Sequence, residues 1–288
     1  MIYYCFACQN SSDNEPLYVA SDFTVEDEFT AGIEGPAVDA QGNIYAVNYK
    51  NEGTIGKVDP QGNASLFVEL PTGSIGNGIR ISKEGKLLVA DYKGHNILVV
   101  DTLDKSVSVY AHQDEMNQPN DIAMMDNGIL FASDPNWGAS TGNLWRIGNN
   151  RESNLLESGM GTTNGIEVSP DQKHLYVNES VQRKVWVYDI SENGSISNKR
   201  LLHTFPDFGM DGMRCDIKGN LYITRYGKGT VAIISPDGQL TTEVILKGKK
   251  PSNITFGGAD GKTCYVTMQD RGCLESFRTQ YKGRAWKG

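Results

Sequence analysis

The chain repeats itself. The segments EGPAVDAQGNIYAV, NGIRISKEGKLLVA, NDIAMMDNGILFAS, NGIEVSPDQKHLYV, DGMRCDIKGNLYIT and SNITFGGADGKTCYV begin at residues 34, 77, 120, 164, 211 and 252, so successive copies start 41 to 47 residues apart. Each opens on a polar residue, then a small or polar one, then a short apolar-rich run. A turn follows, usually with glycine, as in DAQGN, SKEGK and DIKGN, and a second apolar run ends on a small or polar residue. Third runs lie downstream: TIGKVD, NILVVD, NLWRI, KVWVYDI, TVAIIS and CLESF. Turns such as DPQGN, SENGS and SPDGQ, which suit tight hairpins, predict a fourth strand after several of them. Helix-period stretches of useful length are nearly absent.

A period of about 40–50 residues with about four strands per unit is the pattern of a β-propeller. The expected fold is therefore all-β: six four-stranded antiparallel blades around a central channel, forming one domain over residues 17–288. The sixth unit is one strand short. The segment LYVASDFTVEDEF, before residue 34, is expected to supply its outermost strand and so close the ring, which removes open sheet edges.

The 32 glycines, against only 10 prolines, fit many tight turns rather than disorder. A formal net charge of −8 sets aside a nucleic-acid binder, which needs a basic face. No apolar run reaches transmembrane length. Cys215, Cys264 and Cys273 lie in strand-like segments and read as small buried hydrophobes, without zinc-ligand spacing to histidine. Cys5 and Cys8 belong to a leader over residues 1–16. There FAC followed by QNSSDN is similar to the end of a bacterial lipoprotein signal, although no basic region precedes it and seven residues are few for the apolar stretch. Two expectations follow. A lipid anchor at Cys8 would place the protein in the cell envelope or periplasm; a short disordered leader would leave it cytoplasmic.

The first strand of each blade lines the channel of a propeller. The polar residues heading the repeats, Glu34, Asn77, Asn120, Asn164, Asp211 and Ser252, should therefore converge at one end of one tunnel. Polar residues line many such channels with no chemistry. A register-matched ring with two acids, however, would repel itself unless a cation sat within it. Its ligands are all oxygen, which suits a hard ion, calcium first, with magnesium, manganese or zinc as alternatives. The second strands end near Asn48, Asp91, Asp134, Asn178, Glu179, Arg225 and Met268, and their loops should overhang the same mouth. Asp134, in DPNWG, reads equally as a turn former or as a functional carboxylate, either one that supports the site from behind or a base. The chain has no GxSxG elbow, P-loop, Rossmann GxGxxG or HExxH.

The stretches EGPAVDAQGNIYAV, QPNDIAMMDNGILFASDP, TNGIEVSPDQKHLYV, DGMRCDIKGNLYIT and PSNITFGGADGKTCYVT together resemble the gluconolactonase and senescence-marker-protein (regucalcin) family over roughly residues 32–277. The resemblance implies a divalent metal held by Glu34, Asn164 and Asp211, with Asn120 as a further ligand or substrate contact. It also implies hydrolysis of lactones, with phosphotriesters as the substrates of related propellers. Some members carry an arginine just before the PND asparagine to hold a sugar acid; this chain has Gln118 and Pro119 there. Where an acidic substrate contact is found in others, it has Trp137 and Gly138.

On this reading the metal is the Lewis acid, Asp211 or Asp134 is the base, Asn77 and Asn120 orient the substrate, and Trp137 walls the pocket. The expected partner is a small lactone, with the protein a monomer or small homo-oligomer. A calcium- or ligand-binding propeller without catalysis, or a phosphotriesterase-like hydrolase, is the alternative.

Overall fold

The computed structural model describes residues 16–286, and among them no helix occurs. Six four-stranded antiparallel sheets form a six-bladed propeller. The inner strands Phe29–Val38, Gly76–Ile81, Ile122–Met124, Thr163–Val168, Met213–Cys215 and Pro251–Gly257 open blades 1 to 6 in chain order. Blade 6 has three strands of its own. Its outer strand is Ser21–Asp22, which pairs Ser21 with Ser276 and Asp22 with Glu275. The expected closure of the ring is thus present, and Arg271 reinforces it with ion pairs to Asp22, Glu26 and Glu275 at 2.6–2.7 Å.

The core is divided among the junctions between blades. Successive strand residues point to opposite faces. In blade 1, Tyr45 and Val47 pack with Ile79, Leu87 and Val89 of blade 2, while Ile44 and Ala46 pack with Tyr265 and Leu274 of blade 6. Each neighbouring pair of blades shares one such cluster. A strand buried on both faces reads as an unbroken apolar run, which explains IYAV, LLVA and ILFA. Cys215, Cys264 and Cys273 are buried free thiols within these clusters.

At the end of the channel remote from the ring of polar residues, the segment after blade 6 folds back across the axis. Its backbone bonds reach blade 5 (Arg284 to Cys215, 3.0 Å) and the Gly261 turn of blade 6 (3.0 Å). The Arg284 guanidinium donates to the carbonyls of Met124 and Ser169 at 2.8 and 3.3 Å and meets the buried Glu167 carboxylate at 3.4 Å. One side chain therefore ties blades 3 and 4 together.

The leader with Cys5 and Cys8, and with it the lipid anchor, lies outside the described residues. Among those described, no helix is long and apolar enough to cross a membrane.

Removing one partner of a buried pair strands the other charge. Arg284→Met is expected to lower stability by about 3 kcal/mol, measured by urea unfolding. An unchanged midpoint would show that the Arg284 contacts add nothing to stability.

Candidate functional site

Glu34, Asn77, Asn120, Asn164 and Asp211 line a single cavity of about 370 Å3. Five of the six residues that head the repeats thus meet in space. Ser252, the sixth, does not join them. It is fully buried, donates to the Ile33 carbonyl at 2.8 Å and shares a 2.8 Å hydrogen bond with Thr267. Its short hydroxyl fastens blade 6 to blade 1 rather than facing the channel.

The remaining wall comes from loops that follow second strands: Trp137, Ser180, Tyr226 and Gln269, with Gly209 beside them. Ser180, Tyr226, Gln269 and Gly209 were not foreseen from the sequence. Three of them sit immediately after strand ends that were singled out: Ser180 follows Glu179, Tyr226 follows Arg225, and Gln269 follows Met268.

The strand ends themselves brace the loops. Asp91 accepts from the Ile75 and Gly94 amides at 3.1 and 3.0 Å and from Ser74 and Asn96 at 2.8 and 3.0 Å. Asp134 does the same one blade on. It accepts from the Gln118 amide at 2.6 Å, the Trp145 indole at 2.9 Å, and the Asn117 and Asn143 side chains, each at 3.3 Å. Ile75 and Gln118 lie two residues before Asn77 and Asn120, so each aspartate fixes the approach to one asparagine of the ring. Asp134 is fully buried and is not among the residues lining the cavity. With its oxygens committed to four donors, Asp134 is placed as the supporting carboxylate that holds the loop, and this geometry does not favour it as the base.

A second layer lies beneath the ring, at the residue after each polar head. Four of these are glycine, and close approach requires it. A Cβ on Gly35, whose φ is +58°, would lie 1.9 Å from the Asn77 carbonyl oxygen; one on Gly78 would lie 2.5 Å from Asp121 Oδ1. The space goes to Asp121, which is fully buried. Arg80 meets it at 3.0 Å, Arg214 at 3.1 Å, and the Ile122 amide donates to it at 2.9 Å. Burial works against its charge, but Arg80 and Arg214 outweigh burial and hold the carboxyl below its ordinary value.

Glu34 and Asp211 behave oppositely. Burial, and then the charge of Asp121, push Glu34 up to about 8. Burial, and then the charge of Glu34, raise Asp211 well above its ordinary value, although Asn164 donates to it. The pair therefore retains a proton that isolated carboxylates would release. Around it, Glu34 Oε1, Asn120 Oδ1 and Asn164 Oδ1 are buried without a hydrogen-bond partner, a costly state for acceptors. Such oxygens facing two carboxylates fit a hard divalent cation. Among the described residues no three His, Cys, Asp or Glu side chains form a metal-holding group. A cation here would depend on the amide oxygens of Asn120 and Asn164 as well as on Glu34 and Asp211.

Residues 34–270 match the family model for the SMP-30/Gluconolactonase/LRE-like region. The chain belongs to this family. A gluconolactonase of Zymomonas mobilis is 27% identical over 270 residues, covering 81% of this chain and 75% of its own. A diisopropyl-fluorophosphatase of Loligo vulgaris is 28% identical over 306 residues, covering 94% of each chain. The solved structure of a calcium-binding regucalcin of Agrobacterium tumefaciens superposes with a TM-score of 0.79 over 94% of this chain and 96% of its own, at 21% identity, and so shares the fold.

The raised carboxyls give this family member a pH signature. A carboxyl that binds its proton more tightly when folded loses stability as pH rises from the unfolded value toward the folded one. Chelator-treated protein is therefore expected to lose thermal stability between pH 5 and about 8, and Glu34→Gln should flatten that decline. Melting curves across this range check it; a rise with pH would contradict the buried, proton-holding pair.

Proposed function

We propose that this protein is a calcium-dependent hydrolase that opens lactone rings. The observation that carries the reading is the convergence of Glu34, Asp211, Asn120 and Asn164 on one cavity, with three of their oxygens buried and unpartnered. Membership of a family that includes gluconolactonases supports it. Calcium is favoured over magnesium because amide and carboxylate oxygens set by four different blades make an irregular cage, which calcium tolerates better. When bound, the cation supplies Lewis-acid polarisation of the lactone carbonyl.

The chain's own groups do the rest. Asp211 stands on the cavity wall beside the other oxygens of the ring, where a carboxylate can take a proton from the attacking water. Water adds to the carbonyl carbon, the ring C–O bond breaks, and the proton passes to the departing alkoxide. Glu34 is fixed by the Gly35 amide, which donates to Oε2 at 2.6 Å and leaves Oε1 for the cavity. Asn77 donates to the Asn120 carbonyl at 3.1 Å, which orients its amide oxygen to receive a substrate hydroxyl.

The diisopropyl-fluorophosphatase relative, matched along nearly the whole of both chains, favours a second reading: phosphotriester hydrolysis in the same cavity. A pH-stat assay on lactones and a phosphotriester, with calcium and then with chelator, tests both. Chelator-sensitive acid release from a lactone supports the first reading. Silence on every substrate, with calcium still raising the melting temperature, leaves a binding protein.

Two substitutions refine the test. Asp211→Asn is expected to cut lactone hydrolysis about a hundredfold or more while the protein stays folded; full activity would remove Asp211 from the chemistry. Asp134→Ala should instead lower stability, by about 3 kcal/mol for stranding several buried donors, and leave the pH dependence of hydrolysis in place. Loss of that pH dependence would return the role of base to Asp134.

A further inference from the structure

We infer that the substrate is uncharged and is held against an aromatic face, so that anionic rings such as phosphorylated, sulfonated or carboxylated lactones are excluded. The inference rests on the hydrolase reading and names its substrate class. Among the described residues, no lysine, arginine or histidine lines the cavity. Four cationic side chains on elements that border the cavity are committed elsewhere. Arg225 is buried beside the cavity loops. It stacks on Phe205, its guanidinium 3.6 Å from the ring centre, and bonds to Asp207 and the carbonyls of Phe208 and Gly209. Lys228 pairs with Glu243 at 2.8 Å and with Asp207. Arg80 and Arg214 lie beneath the ring, on Asp121.

An anionic substituent entering this cavity would lose its hydration and gain no counter-ion. It would also face Glu34 and Asp211, whose two negative charges a divalent cation only balances. The walls favour a different group. Trp137 lies on the cavity wall with 45% of its surface exposed, and Tyr226 contributes a second ring from a loop two blades away. The turn that carries Trp137 is braced: Ser140 donates to the Trp137 carbonyl at 3.3 Å, and Ala139 to Asn136 Oδ1 at 3.1 Å. An exposed indole on a braced turn is a preformed surface for an apolar or flat substituent. Polar readout is narrower: Ser180 spends its hydroxyl on the Met210 carbonyl, and Asn77 spends its amide N–H on the Asn120 carbonyl, which leaves its amide oxygen for a substrate hydroxyl.

Binding can be separated from turnover with six-membered lactams, which resist hydrolysis. Calorimetry on the calcium-loaded full chain would compare an unsubstituted lactam, a phenyl-bearing one and a carboxylate-bearing one. The neutral phenyl lactam is expected to bind at least tenfold more tightly than the carboxylate lactam. Trp137→Ala should cost the phenyl lactam about tenfold and leave the bare ring nearly unchanged. Gln269→Lys, which places a cation on the wall, should bring the carboxylate lactam to within a few-fold of the neutral ones. Equal or tighter binding of the carboxylate ring by the unaltered protein overturns the inference. So does a failure of the neutral rings to bind, or a phenyl affinity indifferent to Trp137. Hydrolysis of the matching lactones is scored apart from this. Discrimination without turnover removes the catalytic reading alone, and turnover that prefers the anionic lactone removes this one alone.

Discussion

A single buried carboxylate sits where the fold and the site meet. Asp121 lies on the axis of the propeller with no exposure to solvent, and its charge is sustained by two guanidinium groups from other blades. Arg80 reaches it from blade 2 and Arg214 from blade 5; Arg80 also donates to the Ile166 carbonyl of blade 4. Removing Asp121 would leave two buried guanidinium groups without their shared carboxylate. The same carboxylate lies beneath the polar ring and raises both Glu34 and Asp211. The bracing that centres the blades therefore also makes the cavity above it receptive to positive charge.

The rest of the architecture keeps that axis in register. Each junction between blades is a separate apolar cluster, and adjacent residues of one strand belong to different clusters. A one-residue slip in a blade would exchange its two faces and move its polar head off the ring. Second strands add a local check, since Asp91 and Asp134 each grip an amide two residues before a ring asparagine. The position of an asparagine in the cavity is thus fixed by both the apolar alternation and a buried aspartate.

What could be read from the sequence follows from this division. The blades, their closure and five members of the ring were legible, because repetition puts equivalent residues in equivalent places. Ser252 occupied the right register, but a hydroxyl is short enough to bond the neighbouring blade, and register carries no information about reach. Asp134 was ambiguous by itself; its equivalence with Asp91, which makes the same kind of amide contacts, was the available clue to an anchoring role. Tyr226 and Gln269 sit one residue past second-strand ends whose loops the repeat places at the mouth, but periodicity does not say which loop side chain turns inward. Asp121 was hidden among small residues that follow the polar heads. Its importance shows only once the glycines at the same level, such as Gly78, are seen to make room for it.

The axial charges also bear on how such a site would distinguish a ground state from a transition state. From mouth to floor, Glu34, Asp211, Asp121 and Glu167 stand against Arg80, Arg214 and Arg284. One proton on the Glu34–Asp211 pair makes this column neutral, and burial together with the neighbouring carboxylates holds it there. With a divalent cation in place of that proton the column would carry one positive charge in excess. An uncharged substrate leaves the excess unmet, whereas the negative charge that develops on a carbonyl oxygen during ester hydrolysis meets it. An anionic substituent could meet that excess only by giving up its hydration beside Glu34 and Asp211, and whatever attraction it gained would be spent before any bond had changed. The excess favours catalysis only if it is stronger for the transition state than for the bound substrate. A cavity lined among the described residues by no cationic side chain, above an axis that would hold one charge in reserve with a divalent cation bound, would suit that difference.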